Sequence, residues 1–180
     1  MFAYTGGLKG DDGAAGAQGD AGVKGDQGDQ GIQGVKGDPG SVFTSQFAAH
    51  RTAAQAIAAS TWTQVEFNVE DWDDDAEYSH DDTYLFVAKT TGRYHIGANV
   101  TINSVADTKD HSIAIKKNGT DVVLHGYLHV GSEGVQTCHA EGDIDLTAND
   151  YLEVQVRHTD TVSRDTSTGA GCMFFGHRTK

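Results

Sequence analysis

Proline occurs once in this chain, at Pro39, and cysteine twice, at Cys138 and Cys172. Two cysteines are too few for a disulfide framework, and such usage fits maturation in a reducing cytosol. They read most simply as small buried hydrophobes. Basic residues are scarce as well: 13 Lys and Arg stand against 26 Asp and Glu, a net charge of −13. Nucleic acid and anionic membrane would both repel that charge, so neither is expected as a partner. No apolar run reaches the roughly 18 residues of a membrane-spanning helix. The opening residues, Met1 to Gly7, carry no basic flank and no apolar stretch, so they are not read as a secretory signal. Also missing are a Gly-x-Ser-x-Gly elbow, a phosphate-binding loop and any paired metal-ligand motif. The many carboxylates have no spacing that singles out an acid–base pair. An enzyme is not expected, and no catalytic residue is assigned.

What the chain does have is glycine in phase. Gly7, Gly10, Gly13, Gly16, Gly19, Gly22, Gly25, Gly28, Gly31, Gly34, Gly37 and Gly40 fall at every third position without a break. A triple helix demands this period, because one residue in three faces a common axis where only hydrogen fits. A flexible linker would not hold strict phase. Residues 7–40 are therefore read as a collagen-type stalk, on the order of 100 Å long at ~3 Å per residue. With a single proline it lacks imino-acid pre-ordering, and charge pairing substitutes in part. Lys9, Lys24 and Lys36 each precede a Gly-Asp, giving the pairs Lys9–Asp11, Lys24–Asp26 and Lys36–Asp38. Lysine in the third position of a triplet can reach an acid on a neighbouring chain across the one-residue stagger. Each exposed pair is worth about 0.2–1 kcal/mol. So short and proline-poor a stalk is expected to be marginal alone, with the following domain holding three chains in register.

After Gly40 the period changes to two, the mark of half-buried strands. From Tyr94 to Ile102 apolar residues take alternate places, with His95, Asn99 and Thr101 between them. Leu152, Val154 and Val156 alternate with Glu153, Gln155 and Arg157. Val122, Leu124, Leu128 and Val130 share one parity, as do Cys138, Ala140, Ile144 and Leu146. Asn118-Gly119 is a strong hairpin turn signal. The alanine-rich stretch 47–59 is read as extended, since Thr52, Ser60 and Thr61 interrupt any helix. Residues 41–180 are thus expected to form an all-β antiparallel sandwich.

Several local successions carry a resemblance. Gln64-Val65-Glu66-Phe67, an acidic segment to Tyr78, Tyr84-Leu85-Phe86-Val87-Ala88, and Thr91-Gly92-Arg93-Tyr94 follow in order. Lys117-Asn118-Gly119, the stretch Leu146 to Val156, and the ending Phe174-Phe175-Gly176-His177 come after them. Behind a collagen stalk, this order resembles the globular-head family of complement's first component, which shares the tumour-necrosis-factor jelly roll. Two departures stand out: Ala148-Asn149-Asp150 where a Gly-Asp is usual, and His177 in place of a last aromatic. The resemblance implies a ten-stranded jelly roll, trimerisation about an apolar axis, and binding in place of catalysis. Stalk and head together are similar to a collagen-like phage or viral fibre protein.

Three features invite chemistry. Eight carboxylates crowd 70–82 (Glu70, Asp71, Asp73, Asp74, Asp75, Glu77, Asp81, Asp82). Calcium takes six to eight oxygens, yet the Gly and distal Glu of a calcium loop are missing, so a solvated acidic loop is expected, with calcium the alternative and no other cofactor. Of nine histidines, His125 and His129 share a face but lie about 13 Å apart at strand rise, too far for one ion. His95, His111, His139 or His158 could each form a ring about a three-fold axis, while scattered surface histidines are the plainer reading. The sequons at Asn99 and Asn118 fall in a strand and a turn, and glycosylation is not indicated.

The whole then reads as a homotrimer: a docking peptide, Met1–Gly6, that grips a capsid or tail protein; a stalk, 7–40; and a jelly-roll head, 41–180. The expected role is a structural fibre of a virion, assembled in the host cytoplasm and exposed on the particle, whose head attaches to a host-surface glycan or protein. The alternative is a secreted or spore-surface collagen-like recognition protein.

Overall fold

Alternating apolar and polar side chains build twelve strands in a computed structural model that describes residues 10–31, 34 and 45–179. The chain divides into two units, Met1–Pro39 and Gly40–Lys180. In the first, residues 10–31 form no helix or strand and are exposed throughout. The second is a sandwich of two antiparallel five-stranded sheets with a two-stranded ribbon beside them.

Sheet I runs in the order β4 (Val69–Asp73), β1 (Gln46–Arg51), β12 (Gly169–Arg178), β6 (Gly92–Val105), β9 (Gly134–Leu146). Sheet II runs β3 (Thr63–Gln64), β10 (Tyr151–His158), β7 (Asp110–Lys117), β8 (Asp121–His129), with β5 (Phe86–Val87) also paired to β10. β2 (Ala56–Ile57) and β11 (Arg164–Asp165) make the ribbon. The ten strands of the two sheets match the number expected from sequence, and the ribbon is additional. The alanine-rich segment is extended, as β1 and β2.

One core lies between the sheets, and aromatic rings dominate its end near β1. Phe47 stacks on Phe86 at 4.6 Å and meets Phe174 edge-on at 4.9 Å. Phe86 in turn meets Tyr94 edge-on at 5.6 Å. Such offset and edge contacts suit the ring quadrupoles and add to the apolar area buried.

Turn chemistry sets the registers. Asn118 (φ 54°) and Gly119 (φ 76°) are both left-handed, as a type I′ turn requires, and they join β7 to β8. Asn149 (φ 75°) takes the left-handed conformation, which asparagine tolerates better than most residues other than glycine.

Three expectations are corrected. Val122 is exposed, because Ile115 pairs with Leu124 while Lys116 pairs with Val122; this bulge leaves Val123 against the core instead. Thr101 is buried, its hydroxyl 2.6 Å from that of Thr137. The acidic segment is not simply a solvated loop. Its first residues form β4, an edge strand whose charges discourage strand addition. Glu77 is buried, accepting hydrogen bonds from the Ser45 hydroxyl and from the Lys89 N–H at 2.8 Å.

Candidate self-association face

In the stalk the required glycines have no neighbour to explain them. A Cβ placed on Gly10, Gly13, Gly16, Gly19, Gly22, Gly25, Gly28, Gly31 or Gly34 would meet nothing within 4 Å. Within one chain, then, any side chain would fit at these positions. Lys24 and Asp26 form no ion pair with each other, and Asp11 stands exposed. Gly7, Lys9, Lys36, Gly37, Asp38, Gly40 and the peptide Met1–Gly6 lie outside the described residues.

In the head, the outer face of sheet I carries side chains in transverse rows fixed by strand register. One row reads Trp72, Ala48, Phe175, Gly97, Glu141 across all five strands. The next holds His50, Met173, Asn99 and His139, and the row on the other side holds Gln46, His177, His95 and Asp143. The middle row is largely apolar. Trp72 is 51% exposed, Phe175 is half-buried, and Ala48 is buried beneath its neighbours. Phe175 lies flat on the sheet because Gly97 has no Cβ: one would stand 2.5 Å from the ring's Cζ. Met173 extends this apolar band by one row.

Charged groups border the band. His95 bridges two carboxylates, with Nδ1 2.8 Å from Asp143 and Nε2 2.8 Å from Glu141. Those bonds, Asp143 first, raise its pKa. The His177 ring lies 5.5 Å from that of His95, and His50 lies 3.0 Å from Asp71. Arg93 and Asp145 form a two-pronged pair at 2.8 and 3.0 Å. An apolar centre ringed by charge is the anatomy of a protein interface.

The remaining histidines are dispersed. On the outer face of sheet II, His125 meets Trp62 edge-on at 6.3 Å. His129 and the Tyr127 hydroxyl both reach the same oxygen of Asp110, at 2.8 and 2.7 Å. His139 is exposed on sheet I. His111 and His158 are not surface residues at all: both are fully buried, which removes them as members of an exposed ring. Their parity carried the signal, since His111 is in step with Ile113 and Ile115, and His158 with Leu152, Val154 and Val156. Among the described residues no three His, Cys, Asp or Glu side chains converge on a metal-sized site, so the calcium reading has no ligand set there. Cys138 and Cys172 are free and buried, their thiols donating to the carbonyls of His111 and Thr101. Asn99 and Asn118 are engaged by the fold, donating to the Ala170 carbonyl and to Asp150.

No protein-family model matches the chain, and no curated protein matches it in sequence. Solved structures do match the head. The globular domain of zebrafish complement 1qA protein aligns with a TM-score of 0.58 and 14% identity, over 76% of this chain and 98% of that one. The Eiger TNF of S. frugiperda aligns with a TM-score of 0.61 and 12% identity, over 77% of this chain and 94% of that one. Murine APRIL at pH 5.0 aligns with a TM-score of 0.57 and 14% identity, over 74% and 98%. The head therefore has the jelly-roll fold of complement and tumour-necrosis-factor heads.

Proposed function

We propose that the chain works as a homotrimeric fibre of a virion, with a collagen triple helix as spacer and the jelly-roll head as the binding and trimerising end. One observation carries this reading: glycine recurs at every third place from Gly7 to Gly40, while no described stalk glycine has an intrachain neighbour that demands it. The demand must come from other chains packed around a common axis. Lys24 and Asp26, unpaired in one chain, are then free to pair across chains, and the same sequence pattern repeats at Lys9 and Asp11 and at Lys36 and Asp38.

Five residues separate Gly40 from Gln46, a tether that spans at most about 22 Å over its six steps. Three heads on one triple helix therefore meet at an effective concentration of order millimolar. The apolar band of sheet I, with Trp72, Phe175 and Met173, is the surface on which they associate. A jelly-roll head with no assigned catalytic group supports binding as its task.

The virion assignment rests on the stalk's chemistry. A helix with one proline and three Lys-Gly-Asp pairs does not depend on prolyl hydroxylation, which suits assembly in a bacterial host. In this reading Met1–Gly6 docks on a capsid or tail protein and the head meets a host-surface glycan or protein. A secreted or spore-surface recognition protein would share stalk and head and differ in location. Sedimentation of the intact protein should give a trimer, with the far-ultraviolet band of a triple helix; a monomer without that band overturns the architecture. Gold-labelled antibody to the head should decorate phage particles at discrete points. Label on spores or in culture medium alone would select the alternative.

A further inference from the structure

Two histidines face each other inside the sandwich. His111 of β7 and His158 of β10 are direct cross-strand partners, and both are 0% exposed. His158 Nε2 lies 3.0 Å from the Ile57 carbonyl, so that nitrogen holds a proton and donates it. The Ser163 hydroxyl donates to the same carbonyl at 3.0 Å. The other nitrogen of His158 has no hydrogen-bond partner, and neither nitrogen of His111 makes a well-formed hydrogen bond, although the Gln136 backbone lies close enough to pull weakly on that ring. A neutral imidazole tolerates this at modest cost. An imidazolium would bring a buried charge and a bare donor, which is far more expensive.

We propose that His111, facing His158 across the β7–β10 seam, is an acid-sensitive latch on the head, closed only while its ring is neutral and opened along that seam when a proton enters. The groups around the pair offer no compensating carboxylate. β9 contributes Cys138, whose thiol donates to the His111 carbonyl and is pushed up to about 11 by burial. β12 contributes Cys172, also raised by burial, and β8 places Leu128 opposite His111. The inward side of β6 carries one titratable group, Tyr94, whose hydroxyl donates to the Thr90 carbonyl. Asp160, just beyond β10, is held by Arg164 at 2.6 Å and by the N–H groups of Ala106 and Thr161. On the strands themselves, Asp110 is bonded to Tyr127 and His129, and Arg157 to the Ser60 carbonyl.

Burial first, and then the facing His158, lower the His111 pKa from 6.5 to about 4, against a smaller opposing pull from the Gln136 backbone. The folded value lies below the unfolded one, so stability is complete above about pH 6.5 and is lost as pH falls from there toward 4. The full shift corresponds to roughly a 300-fold fall in the folding constant, of which about 30-fold arrives by pH 5. The carboxylates with lowered pKa values act mostly below this window, and His95, with its raised pKa, acts above it.

The test is urea unfolding of the intact protein at about pH 7.5, 6.5 and 5, beside His111→Leu. The wild-type folding constant should fall about 15-fold between the last two, and His111→Leu should remove most of that fall while keeping neutral-pH stability. A wild-type slope retained in the variant overturns the latch. Should the variant fail to fold, histidine ring resonances of the wild-type protein decide. The His111 ring should stay neutral at a pH where the histidine of a short unstructured peptide is charged. A His111 ring that titrates near its ordinary value within the folded head refutes the proposal.

Discussion

Gly97→Ala isolates the proposed association face from the fold that supports it. The new Cβ would stand 2.5 Å from Phe175 Cζ, 2.7 Å from Cε2 and 3.2 Å from Cε1. Contact distances of 3.5–4.0 Å are needed, so the ring must lift by about 1 Å or swing outward. Phe175 is half-buried on the outer face, and its ring can move toward solvent without disturbing the core. The isolated head should therefore lose only about 1 kcal/mol, the low end of overpacking. In the proposed trimer the displaced ring recurs three times, and association should weaken by about 3 kcal/mol, or roughly 100-fold in the association constant.

Two controls bound the interpretation. Gly126→Ala would drive a Cβ into the His139 backbone carbonyl, where neither strand can yield, and the head should fail to fold. Gly134→Ala meets only the Gln136 side chain, at 3.9 Å, and should be neutral. The assay is sedimentation equilibrium across a concentration series, with urea midpoints of the same samples. If Gly97→Ala lowers the urea midpoint while the trimer persists undiminished, the band around Phe175 is not where the heads meet. The double variant Gly97→Ala, Phe175→Ala completes a cycle: removal of the ring should abolish the clash and leave only the lost contact.

Phe47→Ala removes the ring at the centre of the aromatic cluster and should cost about 3–5 kcal/mol, read by chemical denaturation. Asp150→Ala breaks the bonds to Lys117 (2.7 Å), Asn118 (2.9 Å) and the Thr147 N–H (2.8 Å) that clamp two turns together. Lys117 leads the causes that depress the Asp150 pKa to about 2, so its stabilisation is present above pH 3.8 and vanishes as pH falls through about 2; the variant should cost about 1–2 kcal/mol at neutral pH and flatten acid unfolding. His95 behaves oppositely: its raised pKa gives a contribution complete below 6.5 that fades as pH rises through the folded value, and His95→Gln should erase that alkaline trend in the urea midpoint. A peptide of the stalk alone should show no triple-helix band at about room temperature, and one that melts far above it would refute the argument from scarce proline.

The sandwich was legible because each strand buries one face, and alternate residues report which. That logic failed where a bulge intervened. One extra residue at Val123 reverses the parity beyond it, and nothing near Val122 announces the extra residue. It also failed where parity conflicted with habit. His111 and His158 stand in step with isoleucines, leucine and valines, but histidine is exposed so often that parity alone does not mark it as buried. Gly97 was readable only as a gap in an apolar run. Its reason is Phe175, far away in sequence, and only strand pairing brings them together. Buried Glu77 gave no sign at all within its acidic neighbourhood, because its partners Ser45 and Lys89 come from distant segments.

Glycine shows where the boundary of one chain lies. At Gly97, Gly126 and Gly176 a Cβ would collide with atoms of the same chain, so the head itself explains why nothing larger stands there. At the described stalk glycines the same test finds empty space, although their spacing is stricter than anything in the head. A constraint that one chain obeys but does not need is what copies packed about a common axis would impose in the proposed triple helix. The stalk therefore specifies phase, and its single proline and solvent-exposed charge pairs contribute little else to stability. The head has the buried core and an apolar band on sheet I, so in the proposed trimer it is the part equipped to hold three chains together.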